Sequence, residues 1–145
     1  MQHSRATYDD ARLIMTLYES RREPRLRDAR KWFSANFKPK TAADIATLCP
    51  PGSEENASYR MVLTYWEMVA SFITGGVLNK ELFFQSGREL LLVWERVRDV
   101  LPGIREQQKD ALYYGNLEAV AHDFIEYWER RTPGAYQAFS TRIRG

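Results

Sequence analysis

One stretch limits what this chain can become: residues 53–76, SEENASYRMVLTYWEMVASFITGG. Val62, Trp66, Val69 and Ile73 form one apolar row, and Met61, Tyr65, Met68 and Phe72 form a second. Both rows step by four, three and four residues, which is helical spacing. Arg60, Thr64, Glu67, Ser71 and Thr74 fall between them as one narrow polar stripe. A helix apolar around most of its circumference has to be buried on most sides. The stretch therefore reads as a central helix with the rest of the chain packed around it.

The flanking segments read as helices as well. Thr7 and Asp10 have capping-box spacing, and Ala11, Ile14, Leu17 and Tyr18 give one apolar face, which places a first helix at about 8–21. Pro24 suits the first turn of a second helix at about 24–37, carried by Leu26, Ala29, Phe33 and Phe37. Thr41 and Asp44 repeat the cap spacing before one short turn at Ile45 and Leu48. Cys49-Pro50-Pro51-Gly52 is a firm break. Ser53 caps the central helix and Gly75-Gly76 stops it.

Asn79 caps the next helix. Phe83, Gly87, Leu90, Trp94, Val97, Leu101 and Ile104 keep helical phase, predicting one long helix that pairs with the central one as an antiparallel hairpin, about 53–74 against 79–100. Pro102 kinks or restarts it. A further piece runs to Tyr114 and stops at Gly115. Asn116 caps a helix with Leu117, Val120, Ala121, Phe124 and Trp128 inward, and Tyr136, Phe139 and Ile143 mark a short last one. No stretch alternates with period two between turn dipeptides. The expected fold is an all-α, single-domain bundle of about five or six helices over 8–145, after a flexible start at 1–7.

Charge and composition narrow the function. At 145 residues the chain can bury a core without staples. The net charge of +2 is too small to imply a polyanion partner. Residues 1–40 nevertheless hold ten Lys/Arg against five Asp/Glu. The single cysteine, Cys49, excludes an intramolecular disulfide framework and fits a reducing compartment. There is no signal-peptide core and no apolar run of membrane length, so a soluble cytoplasmic protein is the expectation.

Few residues point to chemistry. His122 has Glu118 and Glu126 a turn away on either side, but no Glu-x-x-His motif is present, and no metal or cofactor is expected. His3 lies in the polar start. Glu67 sits in the most apolar helix and Glu95 follows a core tryptophan, so the two could face each other and do acid–base work. With Arg60 they are also candidates for a buried polar seam. Phosphate loops, nucleophile elbows and metalloprotease motifs are missing.

Arg21, Arg22, Arg25, Arg27, Arg30 and Lys31 cluster near Trp32 and Phe33, which allows weak binding of nucleic acid or an acidic surface. Glu19, Glu23 and Asp28 interleave them at ion-pair spacing, which favours a solvated, ion-paired junction and makes nucleic acid the lesser reading. Trp32, Tyr113 and Tyr114 lack an obvious core phase and suggest either a partner surface or packing under loops.

Taken in order, Leu17-Tyr18-Glu19 with Arg25 and Arg30, Trp66-Glu67, Gly76-Val77-Leu78, and Trp94-Glu95 with Arg105 resemble an uncharacterised bacterial family of small helical proteins, a domain of unknown function. The likeness spans roughly Tyr8 to Gln108. Some members of that family look tethered to a membrane by an N-terminal apolar helix, which this sequence lacks. The resemblance implies a single helical domain and carries no activity, substrate or catalytic residue. The leading expectation is a non-enzymatic helical module that binds a protein partner or forms a homodimer. A polyanion binder using Arg21–Lys31 and an enzyme using Glu67 and Glu95 are the alternatives.

Overall fold

A computed structural model describes residues 5–145. The expectations for the first four residues, His3 included, lie outside the described residues. Those described fold into nine helices with no strand among them: α1 (Tyr8–Arg22), α2 (Pro24–Asn36), α3 (Ala42–Leu48), α4 (Glu54–Thr74), α5 (Lys80–Phe84), α6 (Glu89–Val97), α7 (Leu101–Gln108), α8 (Gly115–Arg131) and α9 (Ala135–Arg144). The all-α expectation holds. The count of five or six is too low.

Local chemistry sets most boundaries. Thr7 with Asp10, and Thr41 with Asp44, form reciprocal capping boxes at the starts of α1 and α3. The Ser53 hydroxyl accepts from the Asn56 N–H at the start of α4. The left-handed residue that ends α4 is Gly76, with φ 78°.

The long helix predicted from Asn79 onward is broken twice. Leu90 N–H donates to the Gly87 carbonyl at 3.0 Å, a tight turn between α5 and α6. A side chain at Gly87 would meet the buried Phe83 ring at 2.3 Å, so the ring occupies the space beside the turn. The second break follows from Pro102, which has no N–H to offer an α6 carbonyl and sits in the first turn of α7. The apolar row nevertheless stays buried from Phe83 through Ile104, because such turns nearly keep the helical phase. That continuity is why the periodicity concealed the breaks. The piece expected to reach Tyr114 ends at Gln108, where Lys109 turns left-handed with φ 56°.

α4 is central, as expected. Val62, Leu63, Trp66, Val69 and Ala70 are almost wholly buried. Its main flanks are α2 and α8; α6 touches α4 less and packs more on α8 and α9. The expected hairpin of 53–74 with 79–100 is thus not the main pairing in the bundle. Each large apolar side chain buried here stabilises by about 1.5–3 kcal/mol before chain entropy is counted. No helix among the described residues is long and apolar enough to cross a membrane.

Four tyrosines are built into this core. The Tyr65 hydroxyl donates to the Leu17 carbonyl at 2.6 Å and ties α4 to α1. Burial pushes its phenol up to about 12. Tyr136 is also pushed to about 12, by burial and then by its bond to Glu95. Burial raises Tyr59 and Tyr114 further. A raised phenol pKa keeps the group neutral in the fold, and above about pH 10 the unfolded chain ionises first. The tyrosine contribution to stability is therefore expected to be level from neutral pH to about pH 10 and to fall as pH rises toward about 12. Denaturant titrations across this range check it, and ionisation of all eight tyrosines near pH 10 in the folded protein would contradict it.

Candidate functional site

The polar stripe of α4 divides in two. Arg60 and Thr64 are exposed, and the Arg60 Nε donates to Asn56 Oδ1 within the same helix. Lower down, the stripe meets the start of α8. Glu67 Oε1 accepts from the Leu117 N–H at 2.8 Å, and Oε2 accepts from the Asn116 side-chain amide at 2.8 Å. Glu67 thus does for α8 what a local cap does elsewhere, placing a carboxylate at the positive end of the helix. Asn116, the expected cap, donates to that carboxylate instead, and Tyr114 takes the N-cap position with φ 57°.

Glu95 lies elsewhere, under α9. It is 3% exposed. Its carboxylate accepts from Tyr136 and from Ser140 at 2.7 Å, and it pairs with Arg98 at 3.2 Å and Arg144 at 3.9 Å. Arg144 also pairs with Asp99. A buried carboxylate is costly unless bonded and paired, and here it is both. Glu67 and Glu95 share no partner: one holds α8 to α4, the other α9 to α6. Arg60 joins neither.

The basic cluster is similarly divided. Arg30 grips Glu89 through two bonds of 2.6 and 2.7 Å and donates to the Arg21 carbonyl. Arg21 lies 4.0 Å from Glu89 and over the Trp66 ring at 5.3 Å. These two arginines clamp α1, α2 and α6 together. Arg22, Arg25, Arg27 and Lys31 are exposed, and Arg22 pairs loosely with Glu19. Trp32 is half-buried beside Phe37, Tyr113 is half-buried and Tyr114 is buried, so these three do not form an open aromatic patch.

Two contributors escape sequence reading. Glu89 is the acid on which the cluster converges, 59 residues beyond Arg30, and nothing local marks it. Arg96 donates to the carbonyls of Phe33, Ser34 and Phe37 and so closes the C-terminal end of α2. The face of His122 is used differently from a metal site. Its ring meets Trp94 edge-on at 5.5 Å, Glu118 pairs with Arg105 and Glu126 with Arg130. No group able to hold a metal occurs among the described residues. Cys49 is buried, and burial pushes its thiol up.

Open surface features lie along α1 and α2. A cleft of about 560 Å³ separates α2 from the start of α4, with Trp32 and Met61 in it and Asp28, Glu54 and Glu55 around it. On the other side of α2, a cleft of about 280 Å³ faces α6 and carries Arg27, Arg30 and Lys31. Neither Glu67 nor Glu95 lines either one. α1 covers the bundle with Leu13, Ile14 and Leu17, so Ile14 and Leu17 face inward as expected. Ala11 and Tyr18, also expected inward, lie on the adjoining exposed side. There Tyr8 is 77%, Met15 59% and Tyr18 46% exposed.

Comparison with curated proteins and with solved structures gives no match. A family sequence model does match, over residues 6–139, nearly the whole of the bundle from the cap of α1 to the middle of α9. The chain therefore belongs to the family described as "Domain of unknown function (DUF4760)".

Proposed function

We propose that this protein is a non-enzymatic helical interaction module, with residues 8–145 acting as one unit, and that its docking surface is the outward face of α1. The occupant is a second copy of the chain. The observation that carries this reading is the exposed row Tyr8, Ala11, Met15 and Tyr18, spaced three, four and three, with Arg22 next. That is heptad spacing, the pattern of helices that pair side by side. Arg12 and Glu19 flank the row on one side, seven residues apart. Antiparallel pairing about Met15 sets Arg12 of each copy beside Glu19 of the other, twice over. Parallel pairing brings no such opposite charges together. Antiparallel helix dipoles add to the preference.

The polar residues that could have served catalysis have other work. Glu67 caps α8, Glu95 anchors α9, and Arg21 and Arg30 are held by Glu89. α1 spans only about 22 Å at about 1.5 Å per residue, so the interface is small and the dimer is weak and reversible. A single buried cysteine is in keeping with a cytoplasmic setting. Sedimentation velocity from micromolar to near-millimolar protein tests the reading. Mass is expected to rise toward a dimer, and Met15→Glu, which sets two carboxylates together at the dyad, is expected to abolish the rise with thermal stability unchanged. Wild-type protein that stays monomeric throughout refutes it.

A further inference from the structure

The α2–α6 cleft has a charge pattern the fold does not need. Arg27 and Lys31 stand one turn apart on the exposed side of α2. Neither side chain has an ion pair or hydrogen bond among the described residues. Like charges four residues apart repel, so the pair is mildly unfavourable where it stands. The carboxylate in the cleft, Glu89, does not relieve it, since that group is held by Arg30 from one side and Arg21 from the other. Glu23, one turn before Arg27, accepts the Arg25 and Leu26 N–H groups at the start of α2. Arg96 lies outside the cleft and is taken up by the carbonyls of Phe33, Ser34 and Phe37. Behind these groups Phe33, Val62 and Val93 are fully buried, and Leu92 is the half-buried apolar side chain that the cleft reaches.

Two unmatched cations beside a half-buried leucine, in about 280 Å³, specify a ligand. We infer that this cleft is a binding site for a compact organic anion, a phosphate or carboxylate group carried on a small apolar body. Arg27 and Lys31 take the charge, the Ser34 hydroxyl is free to donate, and Leu92 takes the body. The volume sits at the small end for ligand pockets, which favours a monoester or an aryl acid. The site is separate from the α1 face and does not depend on self-association.

Phenyl phosphate is the probe, followed by amide chemical shifts in the full chain. Shifts are expected at Lys31, Ser34 and Leu92, and benzyl alcohol, its uncharged counterpart, is expected to cause none at the same concentration. Arg27→Gln with Lys31→Gln alters two exposed positions, so the fold is retained. At roughly one surface charge contact each, it is expected to weaken binding about tenfold. Vesicles of phosphatidylcholine containing phosphatidic acid distinguish the source: co-sedimentation lost in the same variant assigns the phosphate to a lipid headgroup, and phenyl phosphate binding without it assigns a free ligand. Absence of shifts with phenyl phosphate overturns the inference, as does equal binding by the double variant. Tighter binding of a single-stranded oligonucleotide, with shifts spreading to Arg22 and Arg25, also overturns it in favour of a nucleic-acid surface.

Discussion

Glu95→Ala is expected to lower the free energy of unfolding by about 2–4 kcal/mol, the scale of leaving enclosed hydroxyls without their acceptor. The Glu95 carboxylate is the meeting point of Tyr136, Ser140, Arg98 and Arg144, three of which lie on α9. Its loss leaves two hydroxyls without their acceptor, while Arg98 and Arg144 keep Asp99 nearby. α9 retains Phe139 against Trp128 and the Arg144–Asp99 pair, so the helix loosens before the bundle melts. Proteolysis in the turn at Thr132–Gly134 is expected to accelerate in step with the stability loss. Glu95→Gln keeps an acceptor and leaves Arg98 and Arg144 able to reach water, so its cost falls between wild type and alanine. Denaturant unfolding of the three proteins checks the order, and a loss below about 1 kcal/mol for alanine would show that the network is incidental.

Trp66→Ala is expected to cost about 3–5 kcal/mol, a drop of about 10 °C or more in Tm for a chain of this size. Trp66 is 1% exposed at the middle of α4. It meets Tyr65 edge-on at 5.1 Å, lies 6.4 Å from Phe83 and has Arg21 over its ring. Alanine leaves a void between α1, α4 and α5 and removes the seat of the Arg21 guanidinium. Trp66→Phe is expected to cost less than half as much. The indole Nε1 has no hydrogen-bond partner among the described residues, so losing it relieves an unsatisfied donor while most of the packing remains. Equal losses in the two variants would mean that the indole N–H is bonded after all.

These two positions show what could be read from residues alone. Trp66 was legible because burial leaves a periodic trace: a side chain that must be inside recurs at helical spacing, and α4 carries that trace twice. Capping boxes were legible for the same reason of locality, since Thr7 and Asp10, or Thr41 and Asp44, satisfy each other three residues apart. The breaks at Gly87 and Pro102 were hidden because turns with helical phase leave the apolar row intact. Partners of the polar residues were hidden because they are distant: Glu67 finds Leu117, Glu95 finds Ser140 and Arg30 finds Glu89, separations of 50, 45 and 59 residues. A carboxylate inside an apolar helix looks the same in sequence whether it caps a neighbour or awaits a substrate. The α1 row could have been seen. Tyr8, Ala11, Met15 and Tyr18 have heptad spacing, but Ile14 and Leu17 supply an equally regular row, and only packing decides which faces inward.

The self-pairing of α1 is tested most directly by exchanging its flanking charges. Sedimentation velocity is run on wild type, Arg12→Glu, Glu19→Arg and the double variant, all at exposed positions. Antiparallel pairing predicts that each single change, which sets like charges across the dyad, weakens the dimer, and that the double change restores it to near the wild-type constant. A double variant no stronger than the singles, or four proteins that associate equally, would contradict it.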